Sequence, residues 1–140
     1  MKEGKAEYLC MVQEAISRMS TTSGILKGFS ATVITGIAAI SFTEVNKWVF
    51  LLSVFPIISF FALDVYYLGL ERRFRFLFDL IRTDKKDIDF SMDIQIDKSK
   101  YKEAQVRVCD CLKSKSIWLF YPPAIVVIAI IVIMKFRGCI

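Results

Sequence analysis

The sequence predicts an all-α membrane protein: three transmembrane helices, a small cytoplasmic helical region and one short strand-like segment, assembled as a homo-oligomer. Three observations carry that expectation. The chain is 55% hydrophobic with mean hydropathy +0.49, too oily for an ordinary soluble domain of 140 residues. Its apolar residues gather in three stretches, 28–42, 48–70 and 117–134. Between the second and third lies a segment, Glu71–Lys115, with 12 of the 19 Lys and Arg. Such a segment stays on the cytoplasmic side.

Residues 1–26 read as a cytoplasmic amphipathic helix. Tyr8, Val12, Ala15, Ile16 and Met19 recur at helical spacing up to a break at Ser20–Gly24. Ser20, Thr21, Thr22 and Ser23 are suited to cap the next helix. No cleavable signal peptide is expected, because the first apolar run begins only after 27 mixed residues.

The first span, 27–46, has no Leu in 28–42 and carries Gly28, Ser30, Thr32, Thr35, Gly36, Ala39 and Thr43. Gly28, Thr32, Gly36 and Ala39/Thr43 share one face. Small residues let helices approach closely in lipid. The same stripe also suits the lining of a narrow polar pore, and the two readings agree if the helices gather around an axis.

The second span, 47–70, starts with Trp48 at the outer interface and ends with Tyr66 and Tyr67 at the inner one, as an aromatic belt does. Trp48–Leu70 would form a helix roughly 34 Å long, enough to cross the hydrocarbon, with a kink expected at Pro56. Within it sits Asp64, an ionisable group that is costly in lipid and so faces a partner, a cavity or a pore. Asp64, Tyr67 and Glu71 share a face.

Residues 71–115 form the cytoplasmic helical region. Leu70, Phe74, Leu77, Phe78 and Ile81 make an apolar stripe, so one long helix should leave the membrane. Next, Asp87–Asp97 alternates: Ile88, Phe90, Met92, Ile94 and Ile96 against Asp87, Asp89, Ser91, Asp93, Gln95 and Asp97. That is a strand signature, and a lone strand needs a pairing partner, which a neighbouring subunit would supply. Its acids read as a solvated face and only loosely as metal ligands. A further amphipathic helix, 98–115, shows Tyr101, Ala104, Val108, Cys111 and Leu112 on one side. The third span and a short outer tail take 116–140, entered through Trp118, Tyr121 and the Pro122–Pro123 pair.

Orientation comes from the basic residues. With the N-terminus inside, the N-terminal segment and long loop place 16 Lys and Arg in the cytoplasm and leave three outside. That arrangement in a bacterial inner membrane, multi-pass with a cytoplasmic N-terminus, satisfies the positive-inside rule.

Catalysis is not expected, and neither is a cofactor or a metal. The chain has no His, no Gly-rich phosphate loop and no nucleophile elbow. Cys10, Cys109, Cys111 and Cys139 lack metal-ligand spacing and read as small buried apolar residues. The remaining chemistry is basic charge: Arg18, Lys27, Arg72, Arg73 and Arg75, with Arg82, Lys85 and Lys86 further along. Attraction to anionic lipid headgroups is one use for it. A phosphate-bearing ligand is the other, because arginine forks match phosphate oxygens. Nine acids in Glu71–Lys115 temper the field and argue against indiscriminate nucleic-acid binding.

Three clusters carry a family resemblance: Arg18-Met19…Ser23…Lys27-Gly28, then Asp64-Val65-Tyr66-Tyr67-Leu68…Glu71-Arg72…Phe74-Arg75, and Asp89-Phe90-Ser91-Met92-Asp93. They run from Arg18 to Asp93, a little over half of the chain. The chain resembles small bacterial multi-span membrane proteins of anti-phage defence loci, the nucleotidyltransferase-linked transmembrane effectors of the Hailong type. Phe29 and Phe78 stand where that family has Trp and Tyr. The resemblance implies an oligomeric channel controlled by a nucleotide or short oligonucleotide, with a nucleotidyltransferase encoded nearby.

The expectation is therefore a symmetric homo-oligomer, with a tetramer as the working number, conducting cations along its axis. Gly28, Thr32, Thr35, Gly36, Asp64, Tyr67 and Glu71 would line the pore. Arg18, Lys27, Arg72, Arg73 and Arg75 would bind the controlling ligand. The alternative is a non-conducting scaffold that recruits a cytoplasmic partner, in which Asp64 simply pairs with a basic neighbour such as Arg72 or Arg73.

Overall fold

The computed structural model describes residues 4–41, 43, 47–52, 54–83, 85, 89–93 and 107–137. Five helices organise them in chain order: α1 (Lys5–Ser41), α2 (Lys47–Leu52), α3 (Phe55–Arg82), α4 (Val108–Leu112) and α5 (Lys115–Arg137). Two of these, α1 and α5, are long and apolar enough to cross a membrane. With 37 and 23 residues they run about 55 and about 34 Å.

α1 is one continuous helix where the sequence suggests a break at Ser20–Gly24. The Thr22 hydroxyl donates to the Arg18 carbonyl at 2.9 Å, bonding back into its own helix instead of capping a new one. A single glycine costs a helix only about 1 kcal/mol, which the long flanking turns absorb.

The second apolar stretch behaves in the opposite way. The expected kink at Pro56 is a full interruption, with α2 ending at Leu52 and α3 beginning at Phe55. Inside one helix, Pro56 would remove the bond to the Leu52 carbonyl and collide with it. At the second position of α3 its missing N–H costs nothing. Turn bonds from Val54 N–H to Leu51 O (3.2 Å) and Ile57 N–H to Val54 O (3.1 Å) carry the chain across. From there α3 continues for 28 residues, the long helix expected to leave the apolar segment. α5, by contrast, runs on through Pro122 and Pro123.

No strand occurs among the described residues. Of the alternating segment 87–97, residues 89–93 are described, and they form a non-helical loop in which Phe90 takes a left-handed φ of 52°. The reason is chemical. The Asp89 carboxylate accepts the Ser91 N–H at 3.0 Å, and the Ser91 hydroxyl accepts the Asp93 N–H at 3.2 Å. These side chains offer the backbone turn bonds in place of a ladder. The remainder of 87–97, and residues 98–106 of the expected final helix, lie outside the described residues. So does Cys139.

The chain divides into two compact units, Met1–Ser23 with Val65–Leu112 and Gly24–Asp64 with Lys113–Ile140. In the first, Tyr8, Val12 and Ile16 of α1 pack on Leu77 and Ile81 of α3, with Leu9, Phe74, Phe78 and Met92 around them. These are the two amphipathic stripes read from the sequence, each covering the other. In the second, Ile37, Ile57 and Ile128, one from each of α1, α3 and α5, meet with Val33, Ile34, Val54, Ile131 and Val132.

Candidate functional site

The second unit contains only two acids, Glu44 and Asp64. Asp64 is fully buried on α3, and Lys27 of α1 reaches it with its ammonium 2.6 Å from Oδ2. A lone carboxylate in such surroundings is prohibitively costly, whereas a paired one is tolerated. The Lys27 side chain retains 17% exposure, while the carboxylate it meets has none.

Two further polar groups converge here. Ser30, one turn beyond Lys27, is fully buried and donates its hydroxyl to the Leu26 carbonyl at 2.9 Å. Tyr121 of α5 is 3% exposed, and its hydroxyl stands beside Asp64 and Ser30 without completing a hydrogen bond of normal geometry. Its ring packs edge-on against Phe61 at 4.8 Å. Three helices thus contribute one polar side chain or more to a common buried cluster.

The predicted lining residues divide by face. Gly28, Thr32, Thr35 and Gly36 are exposed, and Gly28 and Gly36 have open space where a Cβ would stand. The Thr32 and Thr35 hydroxyls donate to the Gly28 and Ala31 carbonyls at 3.1 and 3.0 Å. Ser30 and Ile37 belong to the buried face instead. Two residues along a helix is a rotation of about 200°, so Ser30 and Thr32 lie on opposite faces. An open apolar groove of about 360 Å³ adjoins the exposed side, bounded by Ala31, Thr35, Leu119, Pro123 and Val127. On α3, Asp64 and Glu71 are buried and Tyr67 is half-buried.

The predicted ligand-binding residues are dispersed among different partners. Arg18 pairs with Glu14 at 3.0 Å on the surface, Arg75 pairs with Glu71 at 2.7 Å, and Lys27 pairs with Asp64. Arg72 and Arg73 are half-buried and flank Cys111. Burial pushes the Cys111 thiol up, and the two guanidiniums offset this only in part. Cys10 and Cys109 are exposed, contrary to the reading of the cysteines as buried; Cys111 is buried, as expected. Hydropathy could not separate them, because cysteine's burial depends on which neighbour covers it.

Sequence reasoning passed over Ser30, Tyr121 and Lys135. Lys135 of α5 is 7% exposed and donates to the Ser41 carbonyl at 2.9 Å and to the Thr43 carbonyl. The last turn of α1 contains no basic residue of its own, and Lys135 serves its orphan carbonyls. A signal for Ser30 was present: Ser23, Ser30 and Ile37, spaced by seven, form a single buried stripe. In the first unit, the Tyr8 hydroxyl donates to the Asp89 carboxylate at 3.2 Å and to the Ser91 carbonyl, while its ring meets Phe90 at 5.4 Å. Burial, and then the Asp89 charge, push the Tyr8 phenol up to about 12. Lys5 reaches the Arg82 carbonyl at 3.0 Å. No protein-family model, curated protein or solved structure matches this chain.

Proposed function

We propose that this chain is a membrane channel effector that works as a homo-oligomer, with three spans, a cytoplasmic N-terminus and an axial cation path. The observation that carries the reading is the exposed face of α1. Gly28, Thr32, Thr35 and Gly36 present small and hydroxylated groups along a helix long enough to cross a bilayer. A lone helix in lipid gains nothing from such a face. Copies meeting around an axis gain both close approach and a polar lining. Control falls to the basic residues of the other unit, Arg72 and Arg73 foremost, whose guanidiniums suit a nucleotide or oligonucleotide phosphate. In the defence setting suggested by the sequence resemblance, opening depolarises the infected cell.

One observation favours the second reading, a non-conducting scaffold. Asp64 is engaged with Lys27 inside its own chain, which is what a purely packed span would do with a stray carboxylate. Potential-sensitive dye in cells expressing the chain separates the two. The channel reading expects induced depolarisation, its loss in Gly36→Leu and Thr32→Leu with the protein still inserted, and altered control in Arg72→Gln/Arg73→Gln/Arg75→Gln. An unchanged potential under every inducing condition establishes the scaffold.

A further inference from the structure

We infer that Lys27, Ser30, Asp64 and Tyr121 form a monovalent-cation site in which the Lys27 ammonium stands where a free alkali ion would bind. The inference rests on the geometry of the second unit alone and holds whether or not the assembly conducts. Three oxygens from three helices converge: the Asp64 carboxylate on α3, the Ser30 hydroxyl on α1 and the Tyr121 hydroxyl on α5. All three residues are at least nine-tenths buried. Ser30 spends its proton on the Leu26 carbonyl, which leaves the oxygen's lone pairs to accept or coordinate. The Tyr121 hydroxyl is buried beside the carboxylate and the Ser30 hydroxyl without a hydrogen bond of normal geometry to either. A buried polar atom left in that condition is one that a ligand can satisfy.

Charge selects the class of ligand. One carboxylate and two neutral hydroxyls balance a single positive charge, and a divalent ion would leave an uncompensated charge in an apolar surrounding. Hard oxygen donors suit alkali ions better than soft metals. Lys27 meets the same demand with a tethered ammonium 2.6 Å from the carboxylate.

The test removes the tether. Lys27→Met protein in detergent, at pH about 8, is melted in sodium or potassium chloride. The control is a bulky organic-cation chloride at equal ionic strength. The expected result is a saturable rise of about 3 °C or more in the melting midpoint of Lys27→Met with an alkali ion. Wild type should show no such rise, and neither should Lys27→Met/Asp64→Asn. Tyr121→Phe in the Lys27→Met background should weaken the apparent ion affinity several-fold. Lys27→Gln, which keeps a donor for Asp64, serves in the same way if Lys27→Met does not accumulate. Equal midpoints in alkali and organic-cation salts for both Lys27 variants overturn the site, and so does an alkali-specific rise of the same size in wild type.

Discussion

The two units hold opposite charges together in different ways, and the contrast shows what an ion pair is worth in each setting. In the Tyr8–Ile81 unit these pairs are local, three or four residues apart on one helix: Arg18 with Glu14 and Arg82 with Asp79 in solvent, and the exposed Arg75 with the buried Glu71. The two exposed pairs, Arg18–Glu14 and Arg82–Asp79, contribute about 0.3–0.5 kcal/mol each, and salt screens them. The stability of this unit comes from apolar contact between two amphipathic helices. In the Ile37–Ile128 unit one pair joins two helices, and its carboxylate is fully buried. Removing either partner strands a charge. The same chemistry is therefore incidental in one unit and structural in the other.

The largest effect should come from breaking the buried pair. Lys27→Met and Asp64→Leu singly should each destabilise the detergent-extracted protein by about 3–5 kcal/mol, whereas the double variant should recover most of the loss. Thermal melting of the four proteins in an organic-cation buffer checks this. Simple additivity of the two losses would break the contrast between the units.

Nearly as large is the response of the first unit's core. Ile81 is 1% exposed, and Ile81→Ala should cost about 2–5 kcal/mol by deleting buried methyl groups and leaving a cavity. Arg18→Ala should change stability by less than about 0.5 kcal/mol, since its pair with Glu14 is solvated. Hydrogen exchange in the α1 segment 8–16 would report the difference, and comparable effects of the two changes would refute an apolar origin for this unit's stability.

Lys135→Met should loosen the end of α1 by about 1–3 kcal/mol, because it orphans the carbonyls of Ser41 and Thr43. Faster exchange confined to the final turn of α1 is the expected signature. Its absence would mean that water serves those carbonyls equally well.

The smallest effect is a pH dependence. The Tyr8 phenol ordinarily titrates near 10 and in the folded chain is pushed up to about 12. The folded state therefore retains a proton that the unfolded state releases between these values. This contribution is complete below pH 10 and is lost as the pH rises from 10 towards 12. Tyr8→Phe should remove about 1 kcal/mol at neutral pH and flatten this alkaline loss. An unchanged alkaline melting profile in Tyr8→Phe would assign the loss to other groups.

Much of the helical content was legible because periodicity reports which face of a helix is dry. The stripe Tyr8–Val12–Ile16 and the stripe Leu77–Ile81 were both readable, and they are what the first core uses. The alternation of 87–97 misled where it is described, at 89–93, because Asp and Ser at the polar positions also make turns and Tyr8 ties the loop from far away in the chain. In the candidate site, Asp64 stood out as an acid among apolar residues, and Lys27 stood out for its charge. Nothing in the spacing joined them, since helix periodicity carries no information about which side of another helix lies opposite.

The amino-acid order alone determined that long apolar helices would form, that acids would be scarce in one half of the molecule and that Pro56 would disturb the second apolar stretch. Those outcomes arise from local backbone sterics and from the cost of burying charge, both of which act residue by residue. Tertiary structure decided the rest: that Asp64 takes Lys27 as a partner, that Tyr121 and Ser30 join them, and that Lys135 closes the end of α1. Each of those choices is a contact between elements, fixed by how helices dock and not by the identity of sequence neighbours.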